Sequence, residues 1–118
     1  MNYEDMSDFE INKEVALIKN NNLIFTEGDR VYLDTDDDSL VDYCNSPSDA
    51  WPVIVENNIS ISHSIALYRA DALVYDKKFD NGFKIFKQDS QIGDISSRGA
   101  LRAAMICFLK MKDAGSES

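Results

Sequence analysis

Few side chains in this chain have the types and spacing that chemistry needs. Asp34, Asp36 and Asp38 occupy alternate positions, with Asp37 between them and Asp42 shortly after. Alternating carboxylates of this kind are how a short loop wraps a hard cation such as calcium. The signature then fails. The sixth position of such a loop is Ser39, where the turn requires glycine, and the twelfth is Asn45, where a bidentate glutamate is required. The run therefore reads as a solvated acidic loop, with no metal site expected.

Nucleophilic and acid–base chemistry have equally little support. His63 is the sole histidine and has no well-spaced partners with which to hold a metal. Its pairing with Cys44 or Cys107 as a base for a thiol has no local support in the sequence. The two cysteines form no CxxC pair and no disulfide framework, and both lie in apolar contexts that suggest buried, reduced thiols. No GxSxG, HExxH or glycine-rich phosphate loop occurs; the five glycines are scattered. No catalytic residue and no cofactor is expected.

Two binding candidates remain. Arg98 and Arg102 lie one helical turn apart and could present two guanidinium groups to an anion, or pair structurally with Asp94 and Glu56; the structural pairing is favoured. Trp51, the single tryptophan, could anchor a partner, since tryptophan is enriched at interface hot spots. A tryptophan beside Ala, Val and Ile at a helix start more often packs inward, with its indole N–H finding one acceptor. Core is the favoured reading for Trp51.

Charge narrows the partners. Twelve basic and twenty-one acidic residues give a net charge of −9. Such a field repels phosphates, so direct nucleic-acid binding is disfavoured. The only contrary patch is Lys77, Lys78, Lys84 and Lys87. No run of about 18 apolar residues exists to span a membrane, and the acidic "MNYEDMSDFEINKE" lacks the basic and apolar regions of a signal peptide. The protein is expected to stay in the compartment where it is made.

At 118 residues, with 44% hydrophobic and 28% charged residues, the chain reads as one domain over 1–118, with tails at 1–5 and 113–118 expected to fray. Ser7-Asp8-Phe9-Glu10 is a capping box, with Met6 and Ile11 at the staple positions. Ile11, Val15 and Ile18 then recur at helical spacing, with Leu17 beside them, and predict a helix near 7–19 that ends at Asn20-Asn21-Asn22. "NLIFTEGDRVYLD" reads as a hairpin about Gly28-Asp29. A second helix starts near Ser46-Pro47, with Asp49 in its first turn and Ala50, Val53, Ile54 and Asn57 at helical spacing. A Ser46 cap would leave Pro52 inside the helix, costing a hydrogen bond and a clash. The favoured reading starts the helix at Ser48. Asn57-Asn58 stops it.

Ile59 to Gln88 is strand-rich, with a hairpin turn at Asp80-Asn81-Gly82. The last helix, capped by Ser96 or Ser97, carries Leu101, Met105, Phe108 and Met111 on one stripe. Ala104, Ile106, Cys107 and Leu109 make it apolar almost all round. Strands joined by hairpins predict a mostly antiparallel sheet of the α+β class, with three helices distributed as an α-β-α sandwich.

Three of these segments, "MSDFEINKEVA", "CNSPSDAWPVIVENNISIS" and "ALRAAMICFLKM", resemble small proteins of tailed bacteriophages and prophages. The resemblance is to the NinX-like family and the related phage α-β-α sandwich family. It covers about a third of the chain, and Ala66 to Gln91 carries none of it. Asp49, Ala50 and Trp51 match the family pattern, as do Leu101, Arg102, Ala103 and Ala104, and these are mostly residues that build and pack helices. The resemblance implies a sheet sandwiched by helices, encoded by a phage or prophage and acting in the host bacterial cytoplasm. It implies no catalytic residue.

Three functions follow as expectations. The first is a non-enzymatic accessory protein that binds a host or phage protein, as a monomer or homodimer. The second is an acidic nucleic-acid mimic or anti-defence inhibitor, which requires the acidic residues of Asp34–Asp42 and Glu4–Asp8 to converge on one face. The third is a small-molecule or nucleotide binder or enzyme, with Trp51, Arg98 and Arg102 lining a pocket.

Overall fold

The computed structural model describes residues 3–34, 39–63, 67–75, 77–78, 82–91 and 97–116. The expected capping box opens the first helix, α1 (Asp8–Lys19). The Glu10 amide donates to Ser7 Oγ at 3.2 Å, and Glu10 Oε1 accepts from the Ser7 amide at 3.3 Å. Two first-turn N–H groups are thereby satisfied before any tertiary contact forms. The C-terminus is closed by asparagine chemistry: Asn20 Nδ2 donates to the Ala16 carbonyl, and Asn21 and Asn22 take positive φ. Asparagine tolerates the left-handed region better than other side chains. The buried stripe of α1 is Ile11, Asn12, Val15 and Ala16. Ile18, expected on that stripe, is 40% exposed. The reason is phase: positions 11, 12, 15 and 16 face one way, and 18 falls off their edge.

Strand β1 (Ile24–Glu27) pairs antiparallel with β2 (Arg30–Leu33), with Glu27 opposite Arg30 across Gly28-Asp29. Gly28 has φ +62° while Asp29 stays out of that region, which suits a tight two-residue hairpin turn with glycine first. A short β3 (Leu40–Val41) continues the sheet on β2. The aspartates at 36–38 lie outside the described residues.

Helix α2 (Pro47–Glu56) corrects two expectations. It starts one residue before Ser48: Pro47 is its first residue and Ser46 its cap, and the Ser46 carbonyl accepts from the Asp49 and Ala50 amides. Pro52 therefore sits inside the helix, where it gives the Ser48 carbonyl no N–H. The second correction concerns Trp51, which is 62% exposed and not in the core. Ala50, Val53 and Ile54 are buried and fix the helix phase. Position 51 lies about 100° round from Ala50, away from that stripe. Asn57 and Asn58 end the helix as expected, Asn57 Nδ2 donating to the Val53 carbonyl at 2.8 Å and Asn58 at positive φ.

A second antiparallel sheet has the order β4 (Ser60–His63), β5 (Tyr68–Tyr75), β6 (Phe83–Asp89). Tyr75 pairs with Phe83, so β5 and β6 form the expected hairpin; Asp80 and Asn81 of its turn lie outside the described residues. The class is α+β with antiparallel strands and three α-helices, as expected. The strands divide between two three-stranded sheets where the sequence suggested one.

The long α3 (Ser97–Ser116) joins the layers. It packs on β5 and β6, and also on α1 and α2, while α1 reaches β2 of the first sheet. Met105, Phe108 and Cys107 are among the most deeply buried side chains. Small residues on both partners, Ala70 and Ala72 of β5 and Ala103 and Ala104 of α3, are all buried and permit close approach of helix and sheet. Tyr3–Asp5 form a 3-10 turn with Tyr3 buried, and α3 continues to Ser116. Ser96, the alternative cap, lies outside the described residues.

Pro52 is exposed, so replacing it loses no core contact. Pro52→Ala restores the backbone donor and removes the ring clash, partly offset by greater freedom of the unfolded chain. The variant is expected to be more stable by about 1 kcal/mol, measured by urea denaturation. Equal or lower stability would show that the ring is held by contacts this fold does not contain.

Candidate functional site

The polar residues singled out from sequence divide into those used internally and those left outside. Arg102, from the second turn of α3, reaches back to the start of the chain. Its Nη1 donates to Asp8 Oδ1 at 2.7 Å and its Nη2 to the Met6 carbonyl at 2.6 Å and the Glu4 carbonyl at 3.3 Å. Arg98, one turn earlier, donates through Nε to Asn45 Oδ1. Both guanidinium groups hydrogen-bond within the chain, Arg98 while exposed and Arg102 while partly buried. Glu56 instead pairs with Lys19, and Asp94 lies outside the described residues.

These arginines border a polar network that the sequence reading missed. Asn12, 6% exposed, donates through Nδ2 to Asp42 Oδ1 at 2.8 Å, and its Oδ1 accepts from the Cys44 amide at 3.0 Å. Asn45 Nδ2 also donates to Asp42, at 2.9 and 3.0 Å to its two oxygens. The Asp42 amide donates to Asp49 Oδ2 at 3.0 Å. Asp49 therefore holds the β3–α2 connection to the helix start. The readable signal was Asn12 itself, a polar residue at the phase of an apolar stripe. The arrangement consumes Asp42, which was expected on an acidic surface. Asp34, at the other end of the acidic run, is exposed.

The thiols are inert by environment. Burial, followed by the nearby Asp8 carboxylate, pushes the Cys44 thiol up to about 12. Burial, followed by Asp71, pushes Cys107 up to about 11. Cys44 Sγ lies against the Asp8 carbonyl at 4.0 Å and Cys107 Sγ against the Phe86 carbonyl at 3.5 Å. His63 is exposed on β4 and tilts against the Tyr68 ring, with centroids 5.0 Å apart. Among the described residues, no group of three acidic, histidine or cysteine side chains is placed to hold a metal ion.

Among the described residues the second sheet also exposes apolar side chains, Ile61, Leu73, Tyr75 and Ile85, and two further surface features bear on the binding candidates. One is the outer side of α2, where Trp51 and Val55, a turn apart, are 62% and 51% exposed with Pro52 between them. The other is a cleft of about 650 Å³ between the N-terminal segment, the end of β6 and the start of α3. Arg102 lines that cleft; Trp51 and Arg98 do not. The three sequence candidates for binding are therefore not brought into one pocket there.

This geometry defines a small α+β protein with arginines hydrogen-bonded within the chain, buried thiols and a tryptophan held outside the core. Residues 2–112 match the family described as Bacteriophage P22, NinX, and the chain belongs to that family. The match runs through Ala66–Gln91, where the quoted segments gave no resemblance. No curated protein and no solved structure matches the chain. Among the described residues, no helix is long and apolar enough to cross a membrane.

Two measurements check the internal assignments. Asn12→Ala removes one acceptor and one donor from a buried network and is expected to cost about 3 kcal/mol in urea denaturation; a loss near zero would contradict the network. Cys44 and Cys107 should resist a thiol reagent at mildly alkaline pH until the protein is unfolded, because the thiolate is the reactive form. Fast labelling of either in the native protein would overturn its assignment.

Proposed function

We propose that this phage-family protein is a non-enzymatic accessory factor that acts by binding a host or phage protein, and that the partner docks on the outer side of α2. The observation that carries this reading is the exposed Trp51. A tryptophan in water forgoes a large burial gain, and the same residue type dominates interface hot spots. Its neighbour strengthens the case. Pro52 interrupts the helix from within, and because its ring is exposed no core burial offsets the lost hydrogen bond. Residues that break a local rule without a stability gain are expected where a surface is shaped for recognition. Val55 extends the apolar strip by one turn.

The setting is the host bacterial cytoplasm, which family membership and the lack of a membrane-crossing helix among the described residues support. The net charge of −9 supports a partner with a basic surface and disfavours direct binding to nucleic acid. The mimic reading draws less support, because Asp42 and Asp8 are turned into internal hydrogen bonds.

The test is affinity capture from host cells with and without phage infection, with wild type and Trp51→Ala run in parallel. Wild type is expected to retain a stoichiometric protein. Trp51→Ala should lose it by tenfold or more, about 2 kcal/mol for a tryptophan hot spot, while its thermal midpoint stays within a degree or two of wild type, as for an exposed residue. Equal retention by both proteins would remove the α2 surface from the proposal.

A further inference from the structure

The second sheet has one face covered by α3 and one exposed, and the strand register says what lies on each. Direct partners across an antiparallel pair share a face, and faces alternate along each strand. Ala70, Ala72, Phe86 and Gln88 are buried, so their positions define the face that meets α3. The alternate positions of β5 and β6 make the opposite face. Its first rung is Arg69 opposite Asp89, its second Asp71 opposite Lys87 and its third Leu73 opposite Ile85, with Tyr75 beyond. On the β4 side Ser60 and Ser62, opposite Asp71 and Arg69, are too short to hold another surface away. Leu73 is 45% exposed, Ile85 57% and Tyr75 75%. Apolar side chains grouped on one face and bordered by polar ones mark interaction surfaces.

The charges on this face form a checkerboard. Along β5 the order is Arg69 then Asp71, and beside it on β6 it is Asp89 then Lys87. Arg69 donates to Asp89 through Nε at 2.6 Å and Nη2 at 3.0 Å, which uses two of its five N–H groups. The face is therefore locally neutral in a chain of net charge −9. A uniformly basic or acidic partner would meet as many like charges here as opposite ones. The surface that fits has the signs exchanged between the two columns, and a second copy of this chain supplies it. A two-fold axis along the strands, midway between β5 and β6, lays β5 of one protomer over β6 of the other and keeps the rungs level. Arg69 then faces Asp89 of the partner subunit, Asp71 faces Lys87 of the partner subunit and Leu73 faces Ile85 of the partner subunit. An axis across the strands would lay charges on the apolar rung, with a desolvation cost and no opposite charge to offset it. A self-complementary patch is what an isologous two-fold contact requires. We propose that the chain forms a two-fold dimer through this face of the second sheet. Sheets packed face to face lie about 10 Å apart with strand directions within about 30°, so the two middle rungs, Asp71–Lys87 and Leu73–Ile85, stay best in register. A face this narrow is at the small end of stable interfaces, and the dimer is reversible, with a dissociation constant in the micromolar range. The face shares no residue with the Trp51 strip, so either reading can fail alone.

The test is sedimentation equilibrium of the full chain from low-micromolar to near-millimolar concentration. The mean mass should rise from 13.3 kDa towards twice that value. Ile85→Glu puts a charge on the apolar rung and should weaken association about tenfold or more, with an unchanged thermal midpoint because the residue is exposed. Asp71→Lys and Lys87→Asp each leave like charges on one rung, and each alone should self-associate about tenfold more weakly. An equimolar mixture of these two variants should recover wild-type association to within a factor of about three, because the lysines of one meet the aspartates of the other. Recovery in the mixture is a readout that a change in monomer stability would not produce. Amide chemical shifts of wild type should move on dilution in the second sheet alone, which keeps the test decisive if a variant does not fold. A mass of 13.3 kDa at every concentration, dilution shifts located elsewhere, a dimer indifferent to Ile85→Glu, or no recovery in the mixture overturns the proposal.

Discussion

The middle of helix α3 offers solvent almost nothing. From Ala100 to Leu109 every residue is buried except Arg102, which is partly buried. A helix that is apolar all round must be covered all round, and this constraint organises the molecule. One side takes β5 and β6, where alanines on both partners let backbone approach backbone. Helices α1 and α2 pack on it as well. Neither helix could cover α3 alone, since each has a narrow apolar stripe. The polar exception, Arg102, fixes the arrangement by reaching to Asp8 and the Met6 carbonyl, so the entry of α1 is tied to the second turn of α3. Burial supplies the driving force and the arginine sets the register.

The same constraint explains why the chemistry-bearing residues do so little chemistry. Thiols drawn into the α3 layers lose access and acidity together. Carboxylates drawn to the helix junction become hydrogen-bond acceptors for Asn12 and Asn45. What escapes on α2 is whatever lies off its buried phase: Trp51, Pro52 and Val55. The placement of these residues follows from Ala50, Val53 and Ile54 packing inward, and it turns a helix-start motif into a surface.

Local signals in the chain were readable because local physics decides them. The capping box at Ser7–Glu10, the glycine turn at Gly28, the asparagine stops and the apolar surface of α3 all depend on near neighbours in sequence. What was not readable depends on distant partners. Strand periodicity cannot say whether six strands join one sheet or two. A tryptophan next to apolar residues looks like core until the helix phase set by Ala50, Val53 and Ile54 is applied to it, which puts position 51 off the buried stripe. The Asn12–Asp42 pair joins residues thirty apart, and Gln88 meets Glu4 across almost the whole chain. The candidate site suffered most, since Trp51, Arg98 and Arg102 do not share the cleft beside Arg102, and that cleft is lined largely by residues no motif marks.

Trp51 is the single tryptophan, so its fluorescence reports one ring without ambiguity. The most direct test of the account is acrylamide quenching of that fluorescence in the free, folded protein. A ring that stands outside the core should emit near the red limit of unfolded tryptophan and be quenched almost as readily as in the denatured chain. A blue-shifted emission that resists quenching would place Trp51 in a core or in a self-association contact, and would contradict the account.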